Sequence, residues 1–200
     1  EVKTFELLGS HHDIVALHSV VEKRDEEPYS FLEELCEGNL SKYMKSNKGQ
    51  IPASVQRGFA EALIRAVVHI HSKGIIHRDI NPSNILVTSF EKPSAKLADF
   101  SLAASEKVAS ETGRVGTLGF IAPEVARAIR GKPSAEISTK ADIWSVGCCL
   151  IVIYTGRYPT PTDNGLIPPE ISLVPDSVRP LVDMCLVVDV DERASARDLI

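Results

Sequence analysis

The sequence is poor in cysteine and carries no pairing pattern. Its four cysteines, Cys36, Cys148, Cys149 and Cys185, form neither a Cys-x-x-Cys unit nor a disulfide-like spacing, which disfavours a secreted, stapled scaffold and points to a reducing intracellular, cytoplasmic setting. Long apolar runs are missing too. The longest, Val146 to Tyr154, falls far short of the roughly 18 residues that span a bilayer, and no secretory leader is visible. There is no excess of basic charge. A net charge of -5 gives no reason to expect nucleic acid or an anionic membrane as the main partner. What remains is 200 residues with 44% hydrophobic content, enough for a sizeable core and, by default, one domain. The first residue is Glu rather than Met, so a piece of a longer protein is expected and the missing leader carries little weight.

The chemistry concentrates between Ile75 and Val87. Apolar runs at Ile75-Ile76 and Ile85-Leu86-Val87 flank a polar centre with Arg78, Asp79, Asn81 and Asn84, which reads as strand, loop, strand with the reactive groups held between rigid ends. Asp79 and Asn84 are five positions apart on a loop bent by Pro82. A carboxylate there can accept a hydroxyl proton while the Asn oxygen binds a metal, and a second metal-binding carboxylate would complete the set. Asp99 supplies that candidate, just after the short strand Ala95 to Ala98.

Here the sequence resembles the protein kinases. His77-Arg78-Asp79 matches the catalytic loop, Asn84 follows the Asp at the family's distance, and Asp99-Phe100-Ser101 is similar to the Asp-Phe-Gly triplet. Gly116-Thr117, Ala122-Pro123-Glu124, Asp142 to Gly147 and Arg193 then appear in family order. The resemblance implies ATP and Mg2+ as cofactors and a protein as substrate. Asp79 would be the catalytic base, Asn84 and Asp99 the metal ligands, and Thr117 the residue that hydrogen-bonds the base in the serine/threonine class. Arg78 would pair with a phosphate in the activation segment, for which Ser105, Ser110 and Thr112 are candidate sites. Glu34, Cys36 and Leu86 would contact the nucleotide. Asp142 would anchor the catalytic-loop backbone and Arg193 would pair with Glu124. Phe5, Leu17, His77 and Phe100 match the stack of side chains that links the two lobes of the family.

Several positions depart from the family pattern. Asn81 stands where serine/threonine kinases usually carry the Lys that contacts the transferred phosphate, so a slower reaction is expected. Ser101 replaces Gly, which predicts restricted movement of Phe100. Glu33 occupies the rear of the nucleotide pocket, where an unpaired carboxylate is costly. Glu1 matches the Glu that pairs with the ATP-positioning Lys, with Glu6 as the other choice, but neither that Lys nor a Gly-x-Gly-x-x-Gly loop occurs in these residues.

Local patterns complete the reading. Val2, Phe5 and Leu8 predict a helix end stopped by Gly9; Ile14 to Val20 and Tyr29 to Leu35 predict strands. A stripe from Val55 to Ile70 predicts a helix over Pro52 to Lys73, closed by Gly74, with His69 and His71 exposed or stabilised by the helix dipole at its end. Ala141 to Tyr154 reads as a buried helix, the proline-rich stretch after it as a loop, and Ser177 to Val187 as amphipathic. The expected fold is α+β and kinase-like. A small-lobe remnant with the end of the C-helix and two strands (1-35) would sit on a mostly helical large lobe (36-200). Two other functions stay open: a weak or inactive scaffold on the same fold, and a small-molecule phosphotransferase, which the Gly-Thr and Ala-Pro-Glu segment disfavours.

Overall fold

Two helices with opposite patterning organise the larger part of the molecule. In the computed structural model, which describes residues 2–21, 30–105, 108–109, 116–131, 137–160 and 167–200, the long amphipathic stripe forms a helix over Ala53–Ser72. It buries Phe59, Leu63, Ala66, Val67 and Ile70, and Gly74 ends it at φ +69°. The all-apolar stretch forms the helix Lys140–Thr155, in which every residue from Ala141 to Ile153 is buried. A helix without a polar face has to be central. Numbered in chain order, the helices are α1 (Val2–Leu8), α2 (Leu40–Ser46), α3 (Ala53–Ser72), α4 (Pro123–Ile129), α5 (Lys140–Thr155) and α6 (Arg179–Cys185). α5 packs against both α3 and α6.

The contact of α5 with α6 requires a residue without a side chain. A Cβ at Gly147 would lie 2.7 Å from Cys185 Cβ and 2.9 Å from Leu186, so Gly147→Ala forces the two helices apart. The substitution should cost about 1–3 kcal/mol, measured as a lower urea midpoint.

The strands are short: β1 (Leu17–Val21), β2 (Ser30–Glu33), β3 (Gly38–Asn39), β4 (Ile75–Ile76), β5 (Ile85–Val87), β6 (Ala95–Leu97) and β7 (Ala104–Ser105). β1 and β2 pair antiparallel, with Leu17 opposite Glu33 and Val21 opposite Ser30. β5 lies between β3 and β6, and β4 pairs with β7. In β5, Ile85 and Val87 are buried on one face while Leu86 takes the other, as the two-residue period of a strand demands.

The first strand begins later than Ile14. Residues 13–15 are drawn instead to β6, where Val15 N–H donates to Leu97 O at 2.9 Å and Leu97 N–H to Asp13 O at 2.8 Å. The Asp13 carboxylate fixes this detour, because it is buried and takes two bonds from Arg65 of α3, at 2.8 and 3.1 Å. The helix near the carboxyl end is shorter than Ser177 to Val187, and part of the proline-rich stretch is a 3-10 turn over Pro169–Leu173. Pro180 sits in the first turn of α6, the one helical place that tolerates its missing N–H. All four cysteines are free. Among the described residues no helix is long and apolar enough to cross a membrane.

Candidate active site

The loop from His77 to Asn84 runs between β4 and β5, and a carboxylate from the core of α5 holds its entry. Asp142 is buried; its Oδ2 accepts the His77 N–H at 2.8 Å and its Oδ1 the Arg78 N–H at 2.9 Å. His71 Nε2–H donates to the same Oδ2 at 2.9 Å. His71 is thus a partner of the anchor rather than an exposed helix-end residue, and its neighbour donates as well, from His69 Nε2 to Leu8 O at 2.8 Å. A buried carboxylate needs donors around it, and the end of α3 is the element close enough to supply one. Arg78 takes φ +70° and donates from Nε to Leu102 O.

His77 is fully buried. Its Nε2–H donates to Ala98 O at 3.0 Å and its Nδ1 accepts the Asp79 N–H at 3.3 Å, a pattern that a neutral imidazole satisfies and an imidazolium does not. Phe100 packs on it at 4.9 Å between ring centroids, and Phe5 packs on Phe100 at 5.2 Å. Three of the four stack residues therefore form one column, and Leu17 is half-buried against the same core.

Burial gives the fold an acid sensitivity whose sign is fixed. The His77 imidazole is held below its ordinary value by burial, so the folded chain refuses a proton that the unfolded chain takes up near pH 6.5; stability is complete above that and falls as the pH drops through it. For Asp142, burial works to raise the carboxyl, but the His71 bond and the nearby imidazoles leave it below its ordinary value. Its contribution is present above about pH 4 and is lost below. Urea midpoints taken from pH 8 to pH 3 should decline in two stages, the upper one shallower in His77→Phe.

Asp79 is held on both oxygens. Thr117 Oγ–H donates to Oδ1 at 2.6 Å and Asn84 Nδ2–H to Oδ2 at 2.9 Å. Asn81 is buried, and its amide is engaged on all sides: Nδ2 donates to Thr117 Oγ at 3.0 Å and to Asp79 O at 3.1 Å, while Oδ1 accepts the Ser83 N–H at 2.8 Å. In place of a cation directed at a phosphate, position 81 carries a strut that aligns Thr117 with Asp79. Gly116 precedes Thr117 at φ +128°, with a would-be Cβ only 3.2 Å from Arg78 O, so any side chain there would push the turn off the loop.

Asn84 and Asp99 line one cleft of about 350 Å³ together with Phe31, Glu33, Ser83, Leu86 and Ala98. Asn84 Nδ2 is engaged by Asp79, which leaves its carbonyl oxygen for a ligand. Among the described residues no trio of His, Cys, Asp or Glu converges as a metal cage. Two oxygen donors beside an open cleft suit Mg2+, which keeps much of its shell for water and phosphate. Of the other nucleotide candidates, Leu86 lines this cleft, while Glu34 and Cys36 lie on the connector after β2. The Glu34 N–H is taken by Ala16 O at 2.8 Å, whereas Glu34 C=O and Cys36 N–H have no backbone partner among the described residues. The Glu34 carboxylate pairs with Lys96 at 2.9 Å. Burial, then the Glu34 charge, pushes the Cys36 thiol up. Glu1, Ser110 and Thr112 lie outside the described residues; Ser105 is in β7 and Glu6 is exposed on α1.

Away from the cleft, Arg193 and Glu124 are both about 1% exposed and meet through two bonds, at 2.7 and 2.9 Å. A model of the protein kinase domain matches residues 1–200. The chain belongs to the protein kinase family. The serine/threonine-protein kinase cds1 of Schizosaccharomyces pombe is 34% identical over 74% of this chain and 32% of its own length. Mitogen-activated protein kinase kinase kinase 1 of Arabidopsis thaliana is 32% identical over 100% of this chain and 33% of its own. For serine/threonine-protein kinase PLK4 of Danio rerio the figures are 33%, 77% and 16%. The chain therefore spans a third or less of the length of these relatives. Its α+β fold is that of a protein kinase domain.

Sequence reasoning missed three supports of this candidate site. His71 braces Asp142, Lys96 braces Glu34, and Ser145 Oγ–H donates to Phe120 O at 2.8 Å, tying α5 to the turn that follows Thr117. Lys96 had a signal, a lone charge inside the apolar strand Ala95 to Ala98. Ser145 had one as well, as a hydroxyl in a helix otherwise apolar at its centre.

Proposed function

We propose that this kinase domain transfers the γ-phosphoryl group of ATP to serine or threonine hydroxyls of proteins. Residues 1–35 would form the small-lobe part and the start of the connector, and 36–200 the large lobe. The observation that carries the reading is the Asp79 carboxylate, held by Thr117 and Asn84 beside the cleft that Asn84 and Asp99 line. Asp79 orients the acceptor hydroxyl and takes its proton as the oxygen attacks phosphorus. Thr117 keeps the carboxylate turned to that task, and Asn81 keeps Thr117 in place. Asn84 and Asp99 would hold Mg2+, which supplies charge neutralisation at the phosphates when bound. Glu34 C=O and Cys36 N–H would be offered to an adenine edge, and Leu86 would contact the nucleotide from the cleft wall. Arg78 would meet a phosphorylated activation segment, and Glu1 an ATP-positioning Lys. Four free cysteines support a cytoplasmic place of action.

A second reading, a weakly active or inactive scaffold, draws on Asn81, which brings no charge to the phosphate and whose amide is fully engaged within the loop. Calorimetry with Mg2+·ATP separates the two. The kinase reading expects binding that Asp99→Asn abolishes and phosphorylation that Asp79→Asn slows by roughly a thousandfold; no binding at millimolar nucleotide favours the scaffold.

A further inference from the structure

The third residue of the Asp99-Phe100-Ser101 triplet does more than restrict the backbone. The left-handed conformation falls on Asp99 itself, at φ +63°, and Ser101 lies outside that region, so nothing in the backbone requires glycine at position 101. The Ser101 hydroxyl instead donates to Asp99 Oδ1 at 2.6 Å, reinforcing a longer bond from its own N–H at 3.3 Å. A glycine would offer the longer bond alone. With both donors on Oδ1, Oδ2 is the carboxylate oxygen left without a hydrogen-bond partner among the described residues.

The main chain on the other side of Asp99 is equally fixed. Ala98 O accepts from His77, Ala98 N–H donates to Asn84 O at 2.9 Å, and Phe100 is fully buried in the ring column. Ser101 therefore ties the Asp99 carboxylate to the main chain that follows it, through two donors on Oδ1. An exposed Asp side chain otherwise loses rotamer freedom when it takes a metal, and hydrogen bonds to ligating carboxylates support metal binding in this way.

We propose that Ser101 is a positioning residue for the metal of the nucleotide complex, locking Asp99 so that Oδ2 is presented to a divalent cation. The inference rests on the kinase reading above. The test compares the protein with its Ser101→Ala and Ser101→Thr variants by calorimetry, using ATP with Mg2+ and ATP with chelator. Ser101→Ala should bind Mg2+·ATP about tenfold more weakly and metal-free ATP unchanged, while Ser101→Thr, which keeps the hydroxyl, should bind both as the parent does. Ser101 is exposed, so neither change threatens the core.

Equal Mg2+·ATP affinity in parent and Ala variant overturns the inference and leaves the kinase reading standing. So does a Thr variant as weak as Ala, or a loss of equal size with and without metal, which marks a structural role. A parent protein with no metal-dependent binding overturns both.

Discussion

Asp79→Asn should lower the rate of phosphoryl transfer by roughly a thousandfold, within the span of 10²–10⁴ that a positioned base contributes, and leave Mg2+·ATP affinity within about twofold, since Asp79 does not line the cleft shared by Asn84 and Asp99. The substitution keeps the shape of the side chain. It exchanges one acceptor oxygen for an amide that must face either Thr117 Oγ or Asn84 Nδ2, both of which already use a hydrogen toward Asp79. One bond is lost, and in the proposed reaction no group would remain to take the acceptor proton. Thr117 can turn its hydroxyl, so the fold survives with a thermal midpoint within a few degrees. Phosphorylation of a generic protein substrate and calorimetry on the same preparation check both halves. Equal losses of turnover and nucleotide affinity would assign Asp79 to binding instead.

Arg193→Ala should destabilise the domain by about 3–5 kcal/mol, the usual cost of breaking a buried ion pair from one side. The guanidinium reaches Glu124 through both terminal nitrogens, Lys140 O at 2.7 Å and, from Nε, Val187 O at 2.8 Å, and its centre lies 5.3 Å from the Trp144 ring. Truncation takes from the buried Glu124 carboxylate and from Val187 O the donors that Arg193 supplies, and opens a void against Trp144. A single-domain stability of 5–15 kcal/mol makes such a loss visible as a large fall in urea midpoint. The double variant Glu124→Leu with Arg193→Met should be much milder than the two single losses summed, because no charge is then stranded. Additive losses would mean that packing, not charge pairing, is what Arg193 provides.

Both predictions concern residues whose types were legible in the sequence and whose energetics were not. Asp79, Asn84 and Asp99 stand out by residue type and spacing, and Glu124 and Arg193 by the resemblance to the protein kinases. Asn81 is different: set beside the kinase pattern it marks a missing cation, whereas the structure gives it three hydrogen bonds within the loop and to Thr117. Similarly, Ser101 reads as a lost glycine but lies outside the left-handed region and bonds to Asp99 instead.

The sequence by itself determined whatever depends on neighbours a few positions apart. The stripe of α3, the unbroken apolar run of α5, the glycines that end helices and the alternation in β5 are all short-range patterns, because helix and strand periods repeat within one or two turns. Tertiary structure decided who satisfies the buried charges. Asp13 finds Arg65 across 52 positions, Asp142 finds His71 across 71 and Glu124 finds Arg193 across 69. It also moved the start of β1, because residues 13–15 pair with β6 rather than continuing the hairpin. A buried carboxylate must have donors, but its need says nothing about which distant donor will be within 3 Å. Only the packed chain settles that.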